Sequence, residues 1–136
     1  MGEVKQGKMT RGIFTPLLLI AITTLSLIPI PDVPELGDVP FFDKWVHFVM
    51  YGALTIAMWM DWWRHGRWAM PQRAFIVISF VFPSVWGGLM ELAQAYLTTC
   101  RSGDWIDFYA DCFGALLGVI ISYSTWKIKE KTSAAS

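Results

Sequence analysis

Three carboxylates stand at the start of the chain's last long apolar segment. The run Asp104-Trp-Ile-Asp107-Phe-Tyr-Ala-Asp111 spaces them at i, i+3 and i+7, so a helix carries all three on one face. Two earlier segments carry related patterns. Asp43, His47 and Tyr51 follow one another at i, i+4 and i+8, with Lys44 beside the first, and Glu91 and Gln94 form an i, i+3 pair. One imidazole among carboxylates can serve as a general base oriented by an acid partner, and His47, Glu91 and Asp107 are the candidates for that chemistry. The same residue types could hold Zn²⁺, Mn²⁺ or Ca²⁺. Their spacing matches no metal motif, so no cofactor is assigned and a metal ion stays an open alternative. Lys44 and Arg101 could receive a phosphate or carboxylate, or neutralise the acids at rest. Tyr51 and Gln94 suit supporting hydrogen bonds. Asp104 stands where a helix would begin and is equally suited to capping it. No Ser or Cys nucleophile occurs in a recognisable motif, which counts against acyl-enzyme chemistry.

These groups lie in an apolar chain. Of 136 residues, 54% are hydrophobic and only 16% charged, with eight Trp and nine Phe. Soluble domains carry about 25% charged residues, so the composition points to an all-α membrane protein folded as one domain over 1–136. The formal net charge is zero, which gives no footprint for nucleic acid. Cys100 and Cys112 are too few for a disulfide scaffold and lack metal-site spacing. The apolar run from Gly12 to Pro31 follows Lys5, Lys8 and Arg11. It is longer than a signal-peptide core and lacks a cleavage site, so it reads as a retained helix.

A bilayer span needs about 20 apolar residues, and four stretches are expected to qualify: about 12–28, 44–60, 74–97 and 105–126. Prolines at 29, 31, 34 and 40 break the chain after the first. Pro83 falls inside the third, where it should free the carbonyl of Ser79. Asp61-Trp62-Trp63-Arg64 closes the second as an interfacial anchor, and Trp68, Trp105 and Trp126 are read the same way. Residues 127–136 read as a short solvated tail. Basic residues fall at the N-terminus (Lys5, Lys8, Arg11), between the second and third spans (Arg64, Arg67, Arg73) and after the fourth (Lys127, Lys129, Lys131). The first loop instead carries Asp32, Glu35 and Asp38. The positive-inside bias then puts both termini and the middle loop in the cytoplasm.

That topology brings the polar groups to one depth. At 1.5 Å per residue, Tyr51, Glu91 and Asp111 each lie about 10 Å below the outer boundary, with His47, Gln94 and Asp107 shallower. Ionisable residues inside a membrane are costly and mark function by default. A pocket open to the outside is the simplest structure that joins them. The alternative is a buried network that fixes helix register, with Lys44, Arg101 and His47 as counter-charges. Gly87-Gly88 and the pair Gly114 and Gly118 suit close packing within the molecule.

Together these segments resemble the VanZ-like family of small bacterial membrane proteins. The resemblance is carried by Asp43-Lys44-x-x-His47-Phe-x-x-Tyr51-Gly52, by Glu91-x-x-Gln94, by Arg101, and by Asp104-x-x-Asp107-x-x-x-Asp111-x-x-Gly114-x-x-x-Gly118. It covers Asp43 to Gly118; the family often has Asn where Asp111 stands. It implies a multi-pass protein of the bacterial cytoplasmic membrane, acting at the outer face near cell-wall precursors or lipoglycopeptides such as teicoplanin. Three functions follow, in order of preference: binding or modifying an amphiphilic cell-envelope molecule, an intramembrane enzyme using a His–carboxylate pair, and a small ion- or proton-coupled carrier. Whether the protein is an enzyme stays open at this level.

Overall fold

The computed structural model describes residues 12–28, 41–64, 70–99 and 102–135. Among them are four helices and no strand: α1 (Phe14–Leu27), α2 (Phe42–Arg64), α3 (Gln72–Leu97) and α4 (Trp105–Ala134). The fourth runs on to Ala134, where a short solvated tail was expected after Trp126. Lys, Glu and Ile in this stretch favour helix, and neither Gly nor Pro interrupts it. Lys129 also places its ammonium over the Trp63 ring, 4.5 Å from the centroid, and Lys127 caps the rings of Tyr123 and Trp126. The segment is solvated, as expected, and it is helical.

Helices α3 and α4 are each long and apolar enough to cross a membrane. Helix α1 is apolar but has 14 residues, a rise of about 21 Å against a hydrocarbon core of about 30 Å. Helix α2 has 23 residues, but Asp43, Lys44, His47, Asp61 and Arg64 dilute its hydropathy. Length and composition therefore establish two candidate spans instead of four.

Neighbours in sequence run antiparallel. Ser26 near the end of α1 meets Gln94 near the end of α3, and His47 near the start of α2 meets Asp111 in the first turns of α4. One end of the bundle thus holds the N-termini of α2 and α4 and the C-termini of α1 and α3. Helices α2 and α4 run parallel and touch backbone to backbone. A Cβ on Gly114 would fall on the carbonyl oxygen of Phe48, and one on Gly118 would lie 2.8 Å from the carbonyl oxygen of Gly52. The small-residue pair is therefore an intramolecular seam.

The opposite end is aromatic. Trp62 stacks on Phe75 at 4.7 Å, Trp59 meets Phe75 edge-on at 5.2 Å, and Trp126 joins the same cluster. Trp62 and Trp126 were expected at the headgroup level but are buried. Ring-on-ring packing inside the bundle gives them more apolar contact than an interface would. Trp105 is exposed and Trp63 half-buried, while Trp68 lies outside the described residues. Pro83 sits within α3, and the Ser79 carbonyl it frees accepts a hydrogen bond from Thr55 Oγ1 of α2 at 3.3 Å. The Ser79 hydroxyl in turn accepts from Trp59 Nε1 at 3.0 Å.

Asp61 departs furthest from its expected role. It is fully buried and accepts hydrogen bonds from the backbone amides of Phe14 and Thr15 at 3.3 and 2.8 Å. Ile13, in the cap position of α1, has no side-chain acceptor to offer. Pro16 has no amide hydrogen, and Leu17 N–H already reaches the Ile13 carbonyl. Asp61 thus completes the first turn of a helix it does not belong to, and it lies at the positive end of that helix's dipole. Asp61→Ala is expected to cost about 2 kcal/mol by orphaning two amides. Asp61→Asn keeps an acceptor and should cost less. Unfolding midpoints in detergent, with hydrogen exchange at Phe14 and Thr15, measure both.

Candidate functional site

The polar end of the bundle holds a cluster drawn from three helices. The inward face of α2 presents Lys44, His47 and Tyr51, spaced i, i+3, i+7. His47 lies at the centre. Its Nδ1 is 2.9 Å from Asp111 Oδ1 of α4 and 3.9 Å from Glu91 Oε1 of α3. Its Nε2 is 3.9 Å from Asp107 Oδ2. The Tyr51 ring stacks parallel to the imidazole with centroids 6.5 Å apart. Asp111 fits because Gly87 faces it, where a Cβ would overlap the carboxylate.

Lys44 closes the cluster at the helix starts. Its ammonium donates to Asp107 Oδ1 at 3.0 Å, Asp43 Oδ2 at 3.1 Å and Asp104 Oδ2 at 3.2 Å. Asp104 does three things. Its Oδ1 accepts from the Ile106 amide at 2.9 Å and caps α4, its Oδ2 meets Lys44, and its own N–H donates to Glu91 Oε2 at 2.7 Å. The Ile106 amide and then the Lys44 ammonium hold the Asp104 carboxyl below its ordinary range. The capping role expected for Asp104 is therefore filled, and the same carboxylate also joins the ion-pair cluster.

Among the described residues the expected constellation is largely brought together, with two departures. Asp43 is exposed at the rim, where its carboxylate pairs with Lys44. Gln94 turns away from the carboxylates, donating from Nε2 to the Ser26 carbonyl at 3.0 Å, and ties α1 to α3. Arg101 lies outside the described residues, as does Cys100.

Among the described residues, five carboxylates (Asp43, Glu91, Asp104, Asp107, Asp111) face Lys44 and His47, so that part of the cluster is acid-rich. Glu91, Asp107 and Asp111 are buried. Glu91 Oε1, Asp111 Oδ2 and the Tyr51 hydroxyl are buried with no hydrogen-bond partner among the described residues. Such a group costs about 1–3 kcal/mol, and more when charged, so three of them at one level mark a place where stability is not optimised.

Two cavities flank the cluster. One, of about 280 Å³, is walled by Leu25, Phe42, Val46 and Met50, with Ser26, Asp43 and His47 as its polar members. The other, of about 150 Å³, lies between α3 and α4, with Glu91, Tyr96, Asp104 and Trp105 among its lining. Sequence reasoning missed Ser26. It is buried on α1, and its hydroxyl finds no partner among the described residues. A serine in an apolar helix gives no signal until docking shows what it faces. Chemically, the Asp111–His47 pair can orient an imidazole as a base, and His47, Glu91 and Asp111 can converge on a cation.

Comparison with known proteins finds no family model, no curated protein and no solved structure that matches the chain.

Proposed function

We propose that this chain is a four-span protein of the bacterial cytoplasmic membrane with both termini in the cytoplasm. Its outward-facing pocket binds the polar part of an amphiphilic cell-envelope molecule, the role its VanZ-like motifs imply. The observation that carries this reading is the 280 Å³ cavity. Its walls suit an acyl chain, and its polar members include the imidazole around which the carboxylates gather. A pocket of that kind is mostly apolar, with a few convergent polar groups to orient the ligand.

Two further features support the membrane part. Around the cluster the usual polarity is inverted: His47, Glu91 and Asp111 are inside, while Val49, Leu89, Tyr109 and Phe113 are exposed. Intramembrane ionisable groups face the bundle interior in this way. Arg64, Arg73 and Lys127 also lie at the end of the bundle away from the cluster, in the sense of the positive-inside bias. Acidic excess and an apolar wall fit a ligand with a cationic group and a hydrocarbon tail, such as a lipoglycopeptide of the teicoplanin type.

The test uses a photoactivatable teicoplanin analogue with the protein in nanodiscs. Cross-links are expected at Leu25, Val46 and Met50 and should fall at least tenfold in Val46→Trp, which fills the cavity. Labels spread equally over Val77 and Val85, or indifferent to Val46→Trp, would sink the reading. Cysteines placed at 35 and 67 check orientation, since an impermeant reagent outside should label only 35. The His47–Asp111 hydrogen bond beside a cavity that Ser26 also lines favours a second reading, an intramembrane enzyme. Cross-linking retained in His47→Gln with glycopeptide tolerance lost would move the conclusion to chemistry.

A further inference from the structure

We propose that His47, Glu91 and Asp111 form a binding site for a divalent transition-metal ion, Zn²⁺ or Mn²⁺. Each residue comes from a different helix and offers one ligand atom, and these atoms lie within 4.8 Å of one another. Bonds of about 2.0–2.2 Å to a tetrahedral ion would set ligand atoms about 3.4 Å apart. His47 Nδ1 and Asp111 Oδ1 are already at 2.9 Å, and Glu91 Oε1 stands 3.9 Å from the same nitrogen.

The independent observation is the unpartnered oxygens. Glu91 Oε1 and Asp111 Oδ2 are buried without a hydrogen-bond donor among the described residues, on residues 4% and 0% exposed. Both belong to carboxylates that a dication would neutralise. Lys44 does not do this, because it donates its hydrogen bonds to Asp43, Asp104 and Asp107.

The surroundings have the layout of an outer shell. Ligating histidines commonly direct their other nitrogen at a carboxylate, and Asp107 Oδ2 faces His47 Nε2. Asp107 is itself anchored by Lys44. The second oxygen of Glu91 is fixed by the Asp104 amide at 2.7 Å. A mixed set of one imidazole and two carboxylates suits Zn²⁺ or Mn²⁺. Ca²⁺ asks for 6–8 oxygens and Mg²⁺ for a near-ideal octahedron. Three protein ligands leave a coordination position free. His47 lines one flanking cavity and Glu91 the other, so that position has access from outside the cluster.

The inference deepens the pocket reading by naming the ion at its floor, and it rests on that reading for the route by which the ion enters. Its test runs without any amphiphile. Protein purified in maltoside micelles is stripped with chelator, then equilibrated with Zn²⁺ or Mn²⁺ alone, and bound metal is counted by atomic emission. About one ion per chain is expected, with a rise in unfolding temperature. His47→Gln, Glu91→Gln and Asp111→Asn should each weaken binding more than tenfold, and Asp107→Asn about tenfold through orientation. Gln94→Ala, whose side chain turns to α1, should bind as the natural chain does. Less than about a tenth of an equivalent in the natural chain overturns the site, whatever the variants do. So does unchanged affinity in a folded Glu91→Gln protein. Metal bound without cavity cross-links defeats only the amphiphile reading, and cross-links without metal defeat only the ion site.

Discussion

Lys44→Met is expected to destabilise the bundle by about 3 kcal/mol, the lower part of the range for breaking a buried ion pair, whereas Glu91→Gln is expected to leave stability unchanged or raise it. The two substitutions act on the same cluster with opposite signs because the cluster is acid-rich. Lys44 joins α2 to α4 by bridging Asp104 and Asp107, and the Asp107 side chain is only 11% exposed. Methionine keeps the apolar stem but leaves that carboxylate buried without its cation. At Glu91 the logic reverses. A glutamine oxygen can still accept from the Asp104 amide, the volume is conserved, and one buried carboxylate leaves a cluster that is acid-rich among the described residues. Unfolding by SDS titration, followed by far-UV circular dichroism, gives both numbers on one scale. A network that served only to fix helix register would lose stability at Glu91 as it does at Lys44. A site that holds excess charge for a ligand gains stability at Glu91 and loses binding, the usual trade between stability and function.

The residues of this site were largely legible in the sequence, for a physical reason. Inside an apolar window, an ionisable group can only point inward, so His47, Glu91, Asp107 and Asp111 identified themselves. Alternating helices then placed them at one end. The bounds of α3 and the start of α4 were legible too, since Pro71 and Asp104 punctuate the chain there. What failed depended on docking. Gln94 lies 60° around the helix from Glu91 at 100° per residue, enough to face α1 while Glu91 faces α4. Asp43 shares the general face of His47 but stands at the exposed rim. Asp61 and Trp62 read as an interfacial end because nothing local shows that the amides of Phe14 and Thr15, 47 and 46 residues away in sequence, will be brought to Asp61. Ser26 and the cavity beside it exist only once α1 is laid against α2.

The seam between α2 and α4 should be the least forgiving part of the structure, and its three glycines should not behave alike. Gly114→Ala is expected to cost about 3 kcal/mol, the upper end for overpacking, because the new methyl lands on the Phe48 carbonyl, which is backbone and yields only if α2 moves. Gly118→Ala should cost about 2 kcal/mol, since its methyl meets the Gly52 carbonyl oxygen and Thr55 Cβ, both at 2.8 Å. Gly52→Ala places its methyl 3.2 Å from the Gly114 carbonyl oxygen. That contact is tight but tolerable, and the helix propensity of alanine, better than glycine by about 1 kcal/mol, offsets it. The ranking Gly114 over Gly118 over Gly52 is read from unfolding midpoints of the three variants. The first substitution should also reach the site. Phe48 is adjacent to His47, and Gly114 lies one turn beyond Asp111, so separating the helices there stretches the 2.9 Å His47–Asp111 contact directly. Gly114→Ala should therefore lose ligand binding even under conditions where it remains folded, while Gly52→Ala keeps it. Equal binding in the two variants would mean that the seam supports the fold without setting the distance between His47 and Asp111.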